Sequence, residues 1–221
     1  MTNEKRKKLW QGVTAIAIML LILVIDQWIK IEVKTTMTLY EKHEVTSWFY
    51  IYFIENNGMA FGMSFINKTL LSLFRLAAII VIAVYLFRQV MKGARWVFVI
   101  LLAMLWAGAA GNLIDCVFYG VCFTQSSPHY VAYAVPVGEG YSTWLNGRVV
   151  DMFYFPLIVT EFPEWVPWYG GRQFIFFSPI FNFADAAVSC SVIAALLFCR
   201  KEIGEIALTK ERSNTDIDHE A

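Results

Sequence analysis

The chain has 221 residues and no formal net charge; 58% of them are hydrophobic and 16% charged. A mean hydropathy of +0.53 is too apolar for an ordinary soluble domain. Neutrality without a basic groove or base-stacking motif gives no ground for a nucleic-acid partner, and the four cysteines and three histidines fall in no metal-ligand spacing, so no metal is expected.

Four runs are long enough to cross a bilayer, for which about 20 apolar residues suffice. Helices are required, because only they satisfy every backbone amide within the run. The first spans Leu9 to about Ile29, follows Lys5–Lys8, and is charge-free until Asp26. A secretory signal peptide is the competing reading, but the run is too long and no small-residue cleavage site follows it. Asp26 and Lys30 stand four apart in the favourable acid-before-base order; as a solvated helix end the pair needs no function. Segment 31–68 then has strand-like Trp48–Ile54 and a turn signal at Asn56–Gly58, which predicts a small sheet on the outer surface. Its aromatic residues also suit a membrane interface.

The second run, Thr69–Phe87, contains one charge, Arg75, whose guanidinium must snorkel outward or meet an acid. Arg88, Lys92 and Arg95 fill the link to the third run, Trp96–Ile114. That run ends in "WAGAAGNLID". Gly108 to Gly111 offer a small-residue face for close helix packing; Asn112 and Asp115 remain to be explained. Segment 117–180 holds "GRVVDMF" with Asp151. The fourth run, 181–199, opens with "FNFAD", so Asn182 and Asp185 begin a helix that otherwise suits lipid. Taken alone, they are either an N-terminal cap or a functional site. Cys116 and Cys122 flank "VFYGV"; free thiols are expected there rather than a bridge.

Basic residues precede the first run, fill the second link and follow the fourth run at Arg200 and Lys201, whereas 117–180 has only Arg148 and Arg172. The positive-inside rule therefore puts both termini in the cytoplasm, with 31–68 and 117–180 outside and 202–221 as a polar cytoplasmic tail. The expected fold is a single membrane α-helical domain of four transmembrane helices, with a small periplasmic β-rich cradle and extended outer loops. This topology gathers Asp115, Asp151 and Asp185 on one side of the bilayer. Two carboxylates in a low-dielectric place cannot both ionise cheaply, which makes one a general acid and the other a general base for activating water. No serine or cysteine nucleophile beside a histidine competes for the role.

"NNGMAFG" (Asn56–Gly62), "AGAAGNLID" (Ala107–Asp115), "RVVDMF" (Arg148–Phe153) and "FNFAD" (Phe181–Asp185) occur in this order among the four runs. Together they resemble lipoprotein signal peptidase, or signal peptidase II, a bacterial inner-membrane aspartic endopeptidase, over nearly the whole chain. The resemblance implies a catalytic dyad of Asp151 and Asp185. It gives supporting roles to Asn112, Asp115 and Asn182, a groove-side place to Asn56 and Gly58, and a family match to Asp26 and Lys30. It implies a diacylglyceryl-modified prolipoprotein as substrate, cut before the lipidated cysteine at the outer membrane face, in contact with membrane lipid and without metal or organic cofactor. Two features depart from the pattern: Cys116 stands where the family usually carries arginine, and the stretches before Asp151 and before Ile180 are long. Arg75 is the candidate to supply the missing cation. A small membrane transporter or lipid-binding protein using Asp26 and Asp185 as coupling acids is the alternative, though no internal repeat supports a transporter. A presenilin-like protease would want a G-x-G-D motif, which is absent.

Overall fold

The computed structural model describes residues 2–57 and 67–204; Gly58 and the tail from 205 onward lie outside the described residues. In chain order the elements are α1 (Asn3–Thr36), β1 (Lys42–Thr46), β2 (Phe49–Asn56), α2 (Lys68–Lys92) and α3 (Trp96–Ile114). A π-helical turn, Asp115–Tyr119, and a short α4 (Gly120–Cys122) continue α3. Then come β3 (Val149–Tyr154), β4 (Ile158–Glu161), β5 (Gln173–Phe176), β6 (Ile180–Phe181) and α5 (Phe183–Phe198).

Among the described residues, three helical stretches are long and apolar enough to cross a membrane: Asn3–Thr36, Lys68–Lys92 and Trp96–Cys122. The fourth predicted span is present as α5, an apolar helix of 16 residues, about 24 Å at 1.5 Å per residue. It starts later than the hydropathy suggests because Ile180 and Phe181 are paired in the sheet, opposite Tyr154 and Phe153. Apolar content alone does not distinguish a buried strand from the first turn of a helix.

The chain divides into two compact units, Met1–Leu23 with Ala77–Ala110 and Ala184–Ala221, and Val24–Leu76 with Gly111–Phe183. The first is helical, with a core of residues such as Leu86, Val90, Phe98 and Leu102. The small-residue face predicted on α3 is used here. A Cβ at Gly108 would run into the Ala184 carbonyl oxygen and lie 2.7 Å from Val188 Cγ2, so only glycine lets α3 and α5 approach this closely. Basic side chains tie off chain ends: Lys7 Nζ donates to the Gly93 carbonyl at 2.8 Å, and Arg95 Nη1 to the Phe198 carbonyl at 3.2 Å. Cations at helix C-termini satisfy carbonyls that lack intrahelical partners.

The second unit contains a four-stranded antiparallel sheet in the order β1-β2-β3-β6. Strand β3 is buried along nearly its whole length, as a central strand covered on both faces should be. Phe53, Val150 and Met152 pack with Val33 and Met37 of α1 and with Tyr119 and Phe123. The register sets Asp151 opposite Ile54 and Val149 opposite Asn56. The loop before β3 lies directly on the π turn: Gly147 N–H donates to the Cys116 carbonyl at 2.8 Å, and a Cβ on Gly147 would collide with the Asp115 carbonyl. The long outer segment is thereby fastened to the end of α3, which fixes where β3 begins.

Candidate active site

A helix that crosses lipid cannot leave a charge unanswered, and α1 carries three buried ionisable residues in its last turns, beside the exposed Glu32. Asp26, Lys30 and Lys34 recur every four residues, so they share one face; all three side chains are fully buried. Lys30 Nζ lies 2.9 Å from Asp26 Oδ2 and 2.9 Å from Asp115 Oδ2. Gln27 Nε2 adds a hydrogen bond to Asp115 Oδ1 at 2.9 Å, and the Val150 N–H donates to Asp115 Oδ2 at 3.2 Å. Asp115 is thus held by a cation, an amide and a strand backbone. The π turn that begins at Asp115 is a feature often found at functional sites.

A second path leads from Lys30 to Asp151. An ammonium can only donate, so the atom Asn112 turns toward it must be its oxygen; Lys30 Nζ to Asn112 Oδ1 is 2.9 Å. The same oxygen accepts from Asn182 Nδ2 at 3.0 Å. Since an amide nitrogen carries two hydrogens, Asn182 can also donate to Asp151 Oδ1, at 2.7 Å. Asn56 Nδ2 approaches Asp151 Oδ2 at 3.2 Å. One buried charge on α1 therefore fixes two amide orientations, and through them the Asp151 carboxylate. Here Asn182 reads as more than a helix cap: its side chain points into this network.

The predicted residues Asp26, Lys30, Asn112, Asp115, Asn182, Asn56 and Asp151 are thus joined in one hydrogen-bonded system. Asp185 lies in the first turn of α5, three positions after Asn182 in the chain, within the helical unit. Arg75 Nη1 donates to Cys116 Sγ at 3.1 Å, while the cation beside Asp115 is Lys30. All four cysteines are free.

Sequence reasoning missed a neighbouring cluster. Lys34 Nζ lies 2.6 Å from Glu55 Oε1 and 2.9 Å from Ser126 Oγ. Ser126 Oγ donates to the same Glu55 oxygen at 2.7 Å, and Arg148 Nη1 reaches Glu55 Oε2 at 3.2 Å. The signal was available in the four-residue spacing from Lys30 to Lys34. Burial pushes the Glu55 carboxyl up, but the Lys34 charge and the hydrogen bonds from Lys34, Ser126 and Arg148 outweigh it and hold Glu55 below its ordinary value of 4.5. A carboxylate whose folded value is depressed stabilises the fold above its unfolded value and loses that contribution as pH falls through the folded one. The stability advantage of the native chain over Glu55→Gln should therefore be full above pH 4.5 and shrink in more acid solution. Denaturation of the two proteins in detergent across that range checks this; an advantage that grows toward acid would contradict it.

A family model described as "Signal peptidase (SPase) II" matches residues 18–200. The chain is 47% identical over 192 residues to a lipoprotein signal peptidase of Porphyromonas gingivalis, covering 86% of this chain and 84% of that protein. It is 34% identical over 211 residues to one of Amoebophilus asiaticus, covering 89% and 80%. Its structure is similar to that of a bacterial membrane enzyme solved by the in meso method at 2.3 Å resolution, with a TM-score of 0.55, 26% identity and coverage of 91% of this chain and 90% of that one. The apolar helices, the sheet and the match over most of the chain agree: this is a multi-pass bacterial membrane protein that belongs to the signal peptidase II family.

Proposed function

We propose that the chain removes signal peptides from diacylglyceryl-modified prolipoproteins, cleaving before the lipidated cysteine with a water activated by Asp151 and Asp185. The observation that carries this reading is the Asp151 carboxylate, placed on a buried strand and met by amide donors on both oxygens. A carboxylate so held is oriented to accept a proton. Asp115, by contrast, is committed to Lys30, so it is read as a support.

In the proposed reaction one aspartate takes a proton from water as the water oxygen bonds to the scissile carbonyl carbon. The other, protonated, donates to the carbonyl oxygen. The tetrahedral intermediate then collapses, the C–N bond breaks, and a proton passes to the departing nitrogen. The products are the signal peptide with a new carboxylate and the lipidated cysteine with a free α-amine. The two acids titrate as a pair, so neither carries a private pKa. No metal or organic cofactor takes part. The site belongs to one membrane-embedded peptidase domain, at the outer face, with both termini and the polar tail cytoplasmic; Asn56 and Gly58 border the substrate groove.

The purified protein should release the signal segment from a lipidated prolipoprotein and leave its unlipidated counterpart intact. Equal cleavage of both, or of neither, would sink the proposal.

Arg75 is proposed to serve the same acids from α2, in place of the arginine that Cys116 replaces. Its contact with Cys116 puts the guanidinium at the residue next to Asp115. A hydrogen bond to a charged group contributes about 1.5–3 kcal/mol, so Arg75→Gln should lower kcat/KM on the order of ten- to a hundredfold. Adding Cys116→Arg should restore part of it. Wild-type rates for Arg75→Gln at every pH would leave the residue a snorkelling anchor only.

A further inference from the structure

Between β3 and β6 the chain leaves the four-stranded sheet as a separate hairpin, in which β4 pairs with β5 from Ile158↔Phe176 to Glu161↔Gln173. All of β4 and most of β5 is exposed. A two-stranded hairpin is at best marginally stable in water, and this one is apolar on both faces: Ile158 and Val159 are adjacent, so they point opposite ways, and both are exposed.

The tip is ordered by its own contacts. Phe162 packs on Phe174 and Tyr169, with ring centroids 5.2 and 5.7 Å apart, and Gly171 N–H donates to the Phe162 carbonyl at 2.9 Å. Two tryptophans are left pointing outward, Trp165 at 81% exposure and Trp168 at 87%. Trp168 is held at φ 62°, a left-handed conformation that disfavours any residue with a Cβ. An ordered, strained, fully exposed tryptophan needs a surface to meet.

We propose that the β4–β5 hairpin is an interfacial anchor whose tip lies in the headgroup layer of the bilayer, with Trp165 and Trp168 immersed there. Connectivity selects that occupant. Phe176 is seven residues before Phe183, where the apolar helix α5 begins, so the hairpin base lies within about 25 Å of that point by chain reach. Tryptophan and tyrosine favour this layer because a ring can be buried while its N–H or O–H stays wet. Glu161, Glu164 and Arg172 on the same hairpin keep it out of the hydrocarbon, where charge and open backbone are costly. The inference rests on the membrane location of the chain and is independent of the proposed dyad.

The test uses the full chain in phosphatidylcholine–phosphatidylglycerol nanodiscs, with Cys122, Cys190 and Cys199 replaced by serine and the buried Cys116 retained. A nitroxide is attached through Trp168→Cys or, as an exposed reference on the other outer loop, Glu139→Cys. Collision rates with oxygen, which enriches in lipid, and with a nickel chelate, which stays in water, are compared. The oxygen-to-nickel ratio at 168 should exceed that at 139 severalfold. Equal ratios would place the hairpin in water, and exclusion of both reagents at 168 would place it against protein, such as a second copy; either overturns the proposal. A label-free check covers a variant that fails to fold. Lipids carrying a shallow nitroxide should quench a fraction of native tryptophan emission that Trp165→Ser/Trp168→Ser lacks, and an unchanged quenched fraction counts against the anchor.

Discussion

Lys30→Met should destabilise the protein by about 3–5 kcal/mol, the usual cost of deleting one partner from a buried ion pair. The substitution nearly keeps length and shape and removes the charge together with its N–H donors. It leaves the Asp26 and Asp115 carboxylates, both fully buried, facing each other across the space the ammonium filled. It also strips Asn112 of the donor that orients its amide, so the Asn182 contact to Asp151 loses its reference. Asp26→Asn provides the contrast. It removes a carboxylate instead, leaving Lys30 paired one-to-one with Asp115, and should cost far less, about 1 kcal/mol for an altered hydrogen bond. Thermal or denaturant unfolding in detergent ranks the two. If Asp26→Asn proves as damaging as Lys30→Met, charge balance is not what holds the cluster.

The sequence was most legible where lipid constrains it. Long apolar runs had to be helices, and a helix overlies each of them, although α1 extends six residues before Leu9 and seven beyond Ile29, and α2 five beyond Phe87. Strand β2 followed from its aromatic and β-branched content, and the Gly108 packing from small residues alone. Asp26 and Lys30 stood out as charges within an apolar run. Four things were hidden. The start of α5 was misplaced because Phe181, taken as the first residue of the fourth run, reads equally well as strand or helix until its partner Phe153 on β3 is known. The Lys34–Glu55–Arg148 cluster stayed unseen because its members are 21 and 93 residues apart, and a charge near a helix end looks solvated unless the loop covering it is known. The role of Lys30 in orienting Asn112 and Asn182 needs side-chain geometry that no spacing encodes. The β4–β5 hairpin was legible only as an aromatic, proline-containing stretch, not as a paired unit.

The central claim is that Asp151 and Asp185 form one acid–base pair. Asp151→Asn and Asp185→Asn each keep the shape of the side chain and remove its ability to exchange a proton. General acid–base catalysis contributes about 10²–10⁴-fold per positioned group, so each variant should lose at least that much while inserting and folding as the native chain does. Asp115→Asn should behave differently. Its remaining oxygen can still accept from Lys30 or the Val150 N–H, and Lys30 retains Asp26, so activity should fall by no more than about tenfold, the equivalent of one modest hydrogen bond. The decisive measurement is the cleavage rate of a lipidated prolipoprotein by these three purified variants, with native-like unfolding profiles confirmed for each. Inactive Asp151→Asn and Asp185→Asn beside a working Asp115→Asn is the predicted result; a working Asp151→Asn beside an inactive Asp115→Asn would contradict it.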